Sequence, residues 1–371
     1  MLDFSSSLYL GIDHASHTLR PWSRLTTGKP GLLYKPPRQK WVEDKLAELM
    51  GYEQTLLGTS TLHLFWDVFG MLSKMKVVIY VDKHAYPVSQ WGVERAACRG
   101  ITIRQYTHHN DELLYRQISR DCKSGYKPVV VTDGFCPGCG RFAPVKQLLT
   151  IVRKNGGYVL LDDTQALGIF GRHEKTGNVF GTGGGGTLQR QQIIDPHVVC
   201  ISSMAKGLGV PVAVLAGSRQ FLKQFAETSE TLTHSSPPSN AVISAAEHAL
   251  QVNQSDGERI RFRLSKRIGY FKQLLSDIGL STHQSCFPLQ TLKVLPQLNS
   301  RKIYTNLLQQ GVQTVLHRVR CTGKICVSFI ITAKHSIAQL HQAALKLAHI
   351  VGSTATRKNR EFNNEYYGFG Y

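Results

Sequence analysis

Through the middle of the chain, short wholly apolar runs alternate with longer stretches whose apolar residues recur every three or four positions. The runs read as buried strands and the longer stretches as amphipathic helices, so their alternation predicts βαβ units around a largely parallel sheet. Strands are predicted at residues 76–81 (KVVIYV), 128–132 (PVVVT), 157–162 (GYVLLD), 197–202 (HVVCIS) and 212–216 (VAVLA), and helices at 40–50, 62–72, 88–99, 111–124 and 143–155. Together these make a large α/β domain over residues 45–240. Beyond Pro237 and Pro238 the pattern changes to two long helices, 240–254 and 258–279. Short apolar runs at 292–295, 313–316 and 325–331 follow, then a helix at 336–351. That is a smaller α+β domain, residues 241–355. The N-terminal segment 1–44 is too short for a domain and is expected to pack across the other two. The polar, basic and aromatic stretch 356–371 reads as a flexible tail.

Composition changes this picture in one respect. A chain of 371 residues with 42% hydrophobic and 19% charged side chains is ordinary for a globular protein. Its charge is not: 44 Lys and Arg against 25 Asp and Glu leave +19, which favours anionic partners. No apolar run approaches the roughly 18–20 residues of a membrane-spanning helix, and no basic segment precedes an apolar one at the start, so neither membrane nor secretory placement is expected. Eight widely spaced cysteines in a chain of this size read as reduced thiols, which places the protein in the cytoplasm.

Two strand ends carry candidate chemistry. The strand at 157–162 ends in Asp162-Asp163, and the strand at 197–202 runs into a loop of small residues around Lys206. Ligands of parallel sheets bind at the carboxyl ends of strands, although either aspartate could instead cap the next helix. An amine and a carboxylate at neighbouring strand ends suit pyridoxal phosphate: the amine forms the Schiff base and the carboxylate keeps the ring nitrogen protonated. The turn at Gly58, Thr59, Ser60, Thr61 and Leu62 opens a helix with hydroxyls and free backbone N–H groups, which suits an anion or merely an N-cap.

These motifs resemble the aminotransferase class I/II superfamily of fold-type I pyridoxal phosphate enzymes, and within it the α-oxoamine synthases such as 8-amino-7-oxononanoate synthase. LDDTQALGIFG (residues 161–171) is similar to that branch's D-D-A-H-G-x-G-V-L-G, and SSMAKGLG (202–209) to its T-F-S/G-K-A-L-G. The resemblance extends from Asp3-Phe4-Ser5 to Ala333-Lys334-His335-Ser336. It implies a mostly parallel seven-stranded sheet in the large domain. Lys206 would be the Schiff-base lysine, Asp162 the partner of the ring nitrogen and His84 a ring stacked on the cofactor. Ser60, Thr61, Leu62 and Ser203 would hold the phosphate, Gln165 would line the site, and Ser235 would reach the phosphate of a partner subunit in a homodimer.

The resemblance weakens at the residues that select the reaction. Gln165 replaces a histidine and can hydrogen-bond but not exchange protons. The usual C-terminal arginine is replaced by the stretch at Cys326-Val327-Ser328, with Arg318, Arg320 and Lys324 nearby. The implied substrates are an amino acid and an acyl thioester on coenzyme A or an acyl carrier protein, joined by decarboxylative condensation. Transamination or other chemistry at Cα remains the alternative. A third reading is a non-catalytic protein that keeps the fold; with no appended helix-turn-helix, nucleic acid is not the expected partner. No metal is expected. The C-x-x-C at Cys136 and Cys139 is read as a pocket-lining turn, with redox or metal binding as its alternative. The glycine run 181–186 reads as a mobile loop.

Overall fold

The computed structural model describes residues 1–108, 110–173, 177–283, 285–293 and 299–366, excepting the side chains of Asp111 and of residues beyond 352. The chain divides into two compact units. One comprises Leu10–Cys136 and Arg141–Arg261; the other comprises Met1–Tyr9, Pro137–Gly140 and the chain from Phe262 onward. The limits 45–240 and 241–355 follow a change of pattern, whereas this division passes through a helix.

In chain order the elements are β1 (Leu2–Asp3), α1 (Gln39–Met50), β2 (Gln54–Gly58), α2 (Thr61–Leu72), β3 (Val77–Asp82), α3 (Pro87–Cys98), β4 (Thr102–Tyr106), α4 (Asp111–Asp121) and β5 (Lys127–Asp133). A hairpin of β6 (Phe135–Cys136) and β7 (Arg141–Phe142) comes next, then α5 (Val145–Arg153), β8 (Tyr158–Asp162), α6 (Thr187–Gln191), β9 (Val198–Ser203), β10 (Ala213–Gly217), α7 (Arg219–Thr228) and α8 (Glu230–His234). The last are α9 (Asn240–Asp277), β11 (Leu289–Thr291), α10 (Ser300–Gln309), β12 (Val312–Gln313), β13 (Val315–Arg318), β14 (Ile325–Ile330) and α11 (Ile337–Tyr366).

The seven-stranded sheet of the larger unit has the order β2-β10-β9-β8-β5-β3-β4. Only β10 runs against its neighbours. Successive side chains of a strand point to opposite faces, and here both faces are buried, which is why the strands read as continuous apolar runs. Ile79, Val81, Val131 and Ile201 meet Phe65, Phe69, Val93 and Phe225 of α2, α3 and α7 on one face. Val78, Tyr80, Val130 and Val159 meet Leu114, Leu148, Val152 and Leu188 of α4, α5 and α6 on the other. The five predicted strands are all present, each shifted by about a residue. The two edge strands were not predicted: in β4 the alternation Thr102-Ile103-Arg104-Gln105 leaves only Tyr106 fully buried, and β2 contains only Leu56 and Leu57 as large apolar residues.

Three other expectations are corrected. The helices predicted at 240–254 and 258–279 are one continuous helix, α9. Its Gly257 leaves room for the Arg261 side chain, because a Cβ there would lie 2.7 Å from Nη2. The glycine run is packed rather than mobile: Gly168 N–H donates to the Gly184 carbonyl at 2.7 Å, Gly183 N–H to Glu258 at 2.7 Å, and a Cβ on Gly185 would meet the Leu49 carbonyl at 1.9 Å. The stretch expected to be a tail from 356 continues the α11 backbone to Tyr366; residues 367–371 lie outside the described residues.

Arg261 fastens that glycine run. Its guanidinium is fully buried and donates to the Gly168 carbonyl at 3.1 Å, Asn253 Oδ1 at 2.7 Å and Glu258 Oε1 at 2.7 Å. Arg261→Leu strands two buried acceptors and is expected to cost about 3 kcal/mol, read as a lower denaturant midpoint.

In the smaller unit β11, β14 and β13 form an antiparallel sheet, and β1 pairs in parallel with β12. Phe4 stacks on His335 at 4.4 Å, and His335 Nε2 bonds the Asp3 carbonyl at 2.9 Å, which anchors the N-terminal strand. The run predicted at 292–295 falls partly outside the described residues, and β11 precedes it. Among the described residues no helix is long and apolar enough to cross a membrane.

Candidate active site

Parallel strands deliver their last residues to one edge of the sheet. In the larger unit β2, β9, β8, β5 and β3 all end there, at Gly58, Ser203, Asp162, Asp133 and Asp82. The register fixes this alignment: Gly58 and Ser203 both pair with Ala213, and Asp133 pairs with Asp162. The loops that leave β2, β3, β8 and β9 at this edge lead to Ser60, His84, Gln165 and Lys206.

The two adjacent aspartates after β8 divide their labour. Asp163 is buried and accepts the N–H of Thr187, the first residue of α6, at 2.8 Å, and also the Thr187 hydroxyl. It therefore caps α6, whose preceding residue Gly186 has no side chain to do so. Burial pushes the Asp163 carboxyl up to about 7, Asp162 adding to the rise against the Thr187 hydrogen bonds. Asp162 sits one residue closer to the sheet, is 6% exposed and accepts the Thr164 N–H at 3.1 Å. The sequence left open which aspartate caps a helix; the geometry assigns the cap to Asp163 and leaves Asp162 as the strand-end carboxylate.

This division has a pH signature. A carboxyl whose folded pKa of about 7 exceeds its unfolded 3.8 binds more protons when folded, so its contribution falls as pH rises from near 4 to near 7. Asp163→Asn keeps acceptor and donor geometry for Thr187 but removes that loss. The stability gained by the variant should grow between about pH 4 and 7 and level off above, as measured by thermal unfolding across that range.

Lys206 follows β9 in a loop clamped to the turn after β8. Ser203 N–H donates to Thr164 Oγ1 at 3.0 Å, tying the end of β9 to that turn. Gly168 lies against Gly207, where an added Cβ would come 2.4 Å from the Leu167 carbonyl, so only glycine permits this approach. Gly207→Ala should therefore displace the lysine and weaken cofactor retention by about tenfold or more, read by titration; about 1.4 kcal/mol of strain suffices. Lys206 is half-buried, its Nζ 5.3 Å from the centre of the Tyr86 ring. The Ser203 hydroxyl accepts the Ala205 N–H at 3.2 Å and retains its own proton to donate. Gln165 is half-buried in the turn between Asp162 and Gly168.

At the far side of the edge, α2 begins directly after β2. Ser60 is its N-cap, accepting His63 N–H at 3.3 Å, and the first turn contains no acidic residue. The amides of Thr61 and Leu62 thus open a 12-residue helix with its positive end at the sheet edge. His84 lies two residues beyond β3 and donates its N–H to Asp82 at 2.8 Å; its ring is 5.1 Å from that of His108. Ser235 lines a cavity with Gly58 and Thr59 of its own chain, at the β2 end of this edge, and its hydroxyl donates to the Thr231 carbonyl at 2.5 Å.

Several residues at the edge escaped the sequence reading. Asp82 accepts from His108 Nδ1 at 2.6 Å and from the Thr132 hydroxyl at 3.1 Å. Although burial pushes its carboxyl up, the bonds from His108, the His84 backbone and Thr132 hold it below the ordinary value. Asp133 accepts Tyr86 N–H at 2.8 Å and so orients the loop that carries His84. The available signal was a carboxylate at each of three successive strand ends.

The donor set fits an aromatic aldehyde phosphate: an amine and a carboxylate at the ends of adjacent strands, an imidazole nearby, and a hydroxyl-rich helix N-terminus without acidic neighbours. Comparison with known proteins agrees. A family model described as aminotransferase class I and II matches residues 2–347. A high-resolution structure of SPT with PLP has a TM-score of 0.80 at 17% identity, covering 95% of this chain and 88% of that one. Serine palmitoyltransferase of Sphingomonas wittichii has a TM-score of 0.79 at 17% identity, with the same coverage of 95% and 88%. For 8-amino-7-oxononanoate synthase of Francisella tularensis the TM-score is 0.73 at 16% identity, covering 95% and 98%. At these identities the likeness is one of fold.

Proposed function

Because the chain belongs to the aminotransferase class I and II family, whose members are pyridoxal phosphate enzymes, we propose that this transferase joins an amino acid to an acyl thioester with loss of carbon dioxide. The carrying observation is that Asp162 and the Lys206 loop leave adjacent parallel strands at one edge, with the α2 N-terminus beside them. When bound, the cofactor supplies an electron sink for charge developing at Cα. Asp162, held by its turn, keeps the ring nitrogen protonated. Lys206 holds the cofactor and carries the proton removed from Cα. Ser60, Thr61, Leu62 and Ser203 hold the phosphate, and His84 covers the ring. Gln165 orients the substrate without exchanging protons.

Support for condensation over other Cα chemistry comes from the two α-oxoamine synthase motifs in sequence and from structural neighbours named serine palmitoyltransferase and 8-amino-7-oxononanoate synthase. The positive charge of the chain suits coenzyme A or an acidic acyl carrier protein. A homodimer in which Ser235 reaches the partner's phosphate belongs to the same reading. The experiment is incubation of the holoprotein with amino acids and acyl thioesters. Carbon dioxide release that requires the acyl donor supports condensation. Amino transfer that requires a keto acid, without carbon dioxide release, replaces it with transamination.

A further inference from the structure

Residues 10–38 belong to the larger unit, have little regular structure and take no part in the chemistry above. They are fastened to the part of α9 that lies in the same unit. Glu247 accepts from Arg20 at 3.0 and 3.1 Å and from Arg38 at 3.1 and 2.8 Å, and the Ser244 hydroxyl donates to the Arg20 carbonyl at 3.0 Å. Upstream of these anchors, His14 meets two partners. Its Nδ1 lies 3.0 Å from Nδ1 of His248, also on α9, and its Nε2 lies 2.9 Å from the carbonyl of Leu208, shortly after Lys206. Gly209 permits the approach: at φ +72° a Cβ there would stand 3.1 Å from the Ile12 carbonyl oxygen and 3.3 Å from His14 Nε2. We propose that His14 is a positioning residue for Lys206, a role that rests on Lys206 being the lysine that holds the cofactor.

The partners fix where the protons are. A carbonyl oxygen only accepts, so His14 Nε2 carries a hydrogen and donates it to Leu208. Neutral His14 then presents an acceptor at Nδ1, and its contact with His248 requires His248 to donate from its own Nδ1. Burial and the neighbouring His14 hold His248 below the ordinary imidazole value, which keeps it neutral near pH 7. The charged groups around the pair are Arg20 and Glu247, bound to each other, with Arg38 on the same carboxylate. A chain of two hydrogen bonds thus runs from α9 through His14 to the Lys206 loop, and bonds in such a chain polarise one another. The loop is consequently held on both sides of the lysine. Ser203 is tied to Thr164 before it, and Leu208 to His14 after it. Loss of one tie lets the amine swing about the other, and a misplacement of about 1 Å can cost about 10²-fold in rate.

The test uses the full chain. In cofactor-free protein, hydrogen exchange of the peptide covering residues 204–210 should quicken about tenfold in His14→Ala, the scale of one net hydrogen bond. His14→Gln should restore slow exchange, because its side-chain N–H reaches the place of the imidazole Nε2 and donates to the same carbonyl. In protein loaded with pyridoxal phosphate, cofactor retention should weaken about tenfold in His14→Ala and recover in His14→Gln. The nitrogen-15 spectrum of the wild-type imidazoles near neutral pH needs no variant and should show His14 protonated at Nε2 and His248 at Nδ1. Unchanged exchange in folded His14→Ala would overturn the proposal. So would His14→Gln as impaired as His14→Ala, or His14 protonated at Nδ1 in place of Nε2. Lys206→Ala separates this role from the cofactor reading: it should lose the visible absorbance while leaving exchange of the cofactor-free loop unchanged. Wild-type protein that takes up no pyridoxal phosphate, with exchange still sensitive to His14, would sink the cofactor reading and leave the hold on the loop standing.

Discussion

Lys206→Ala is expected to lose the visible absorbance of the holoprotein and to lower turnover by about 10²- to 10⁴-fold, the range for a positioned proton-transfer group. The loop bearing Lys206 is held by the Ser203–Thr164 bond and by the contact of Gly207 with the Gly168 turn, neither of which involves the lysine side chain. The variant should therefore fold normally, with an unchanged unfolding midpoint in the absence of cofactor. Lys206→Arg keeps the charge but should not restore the absorbance. A small added amine should recover part of the turnover of Lys206→Ala, because the missing function is an amine rather than a contact.

Asp162→Asn is expected to lower turnover by about 10²- to 10³-fold, the scale on which loss of one preorganised electrostatic partner is felt. The informative control is its neighbour. Asp163→Asn removes the charge from a helix cap and should alter the pH dependence of stability while leaving turnover within a few fold. Kinetics and thermal unfolding on both variants separate the roles. Equal losses of turnover would contradict the division of labour between the two aspartates, as would a loss confined to Asp163→Asn.

Much of this was legible before the structure, for reasons that particular residues illustrate. Strands β3, β5, β8, β9 and β10 are buried on both faces, so no polar residue interrupts them and their apolar runs are unambiguous. Lys206 and Asp162 stand at the ends of two of those runs, where a parallel sheet places its ligands. What failed to show depends on tertiary partners. Edge strand β4 buries only Tyr106, and β2 contains only Leu56 and Leu57 as large apolar residues, so neither leaves a run along the chain. Gly257 looks like a helix stop, yet it accommodates a buried arginine within a continuous helix. The glycines at 181–186 look mobile, but Gly184 lies against Arg261 and the Gly168 carbonyl, Gly185 against the Leu49 carbonyl and Gly186 against Asp163, all distant in sequence. His108 follows the unrecognised β4, so its bond to Asp82 had no trace along the chain.

The central claim is that the cofactor is held on Lys206 at the carboxyl edge of the sheet. Borohydride reduction of the holoprotein followed by peptide mass mapping tests it most directly. A single phosphopyridoxyl adduct on the peptide containing Lys206, absent from Lys206→Ala, is the expected result. An adduct on another lysine, or none in protein saturated with pyridoxal phosphate, would contradict it.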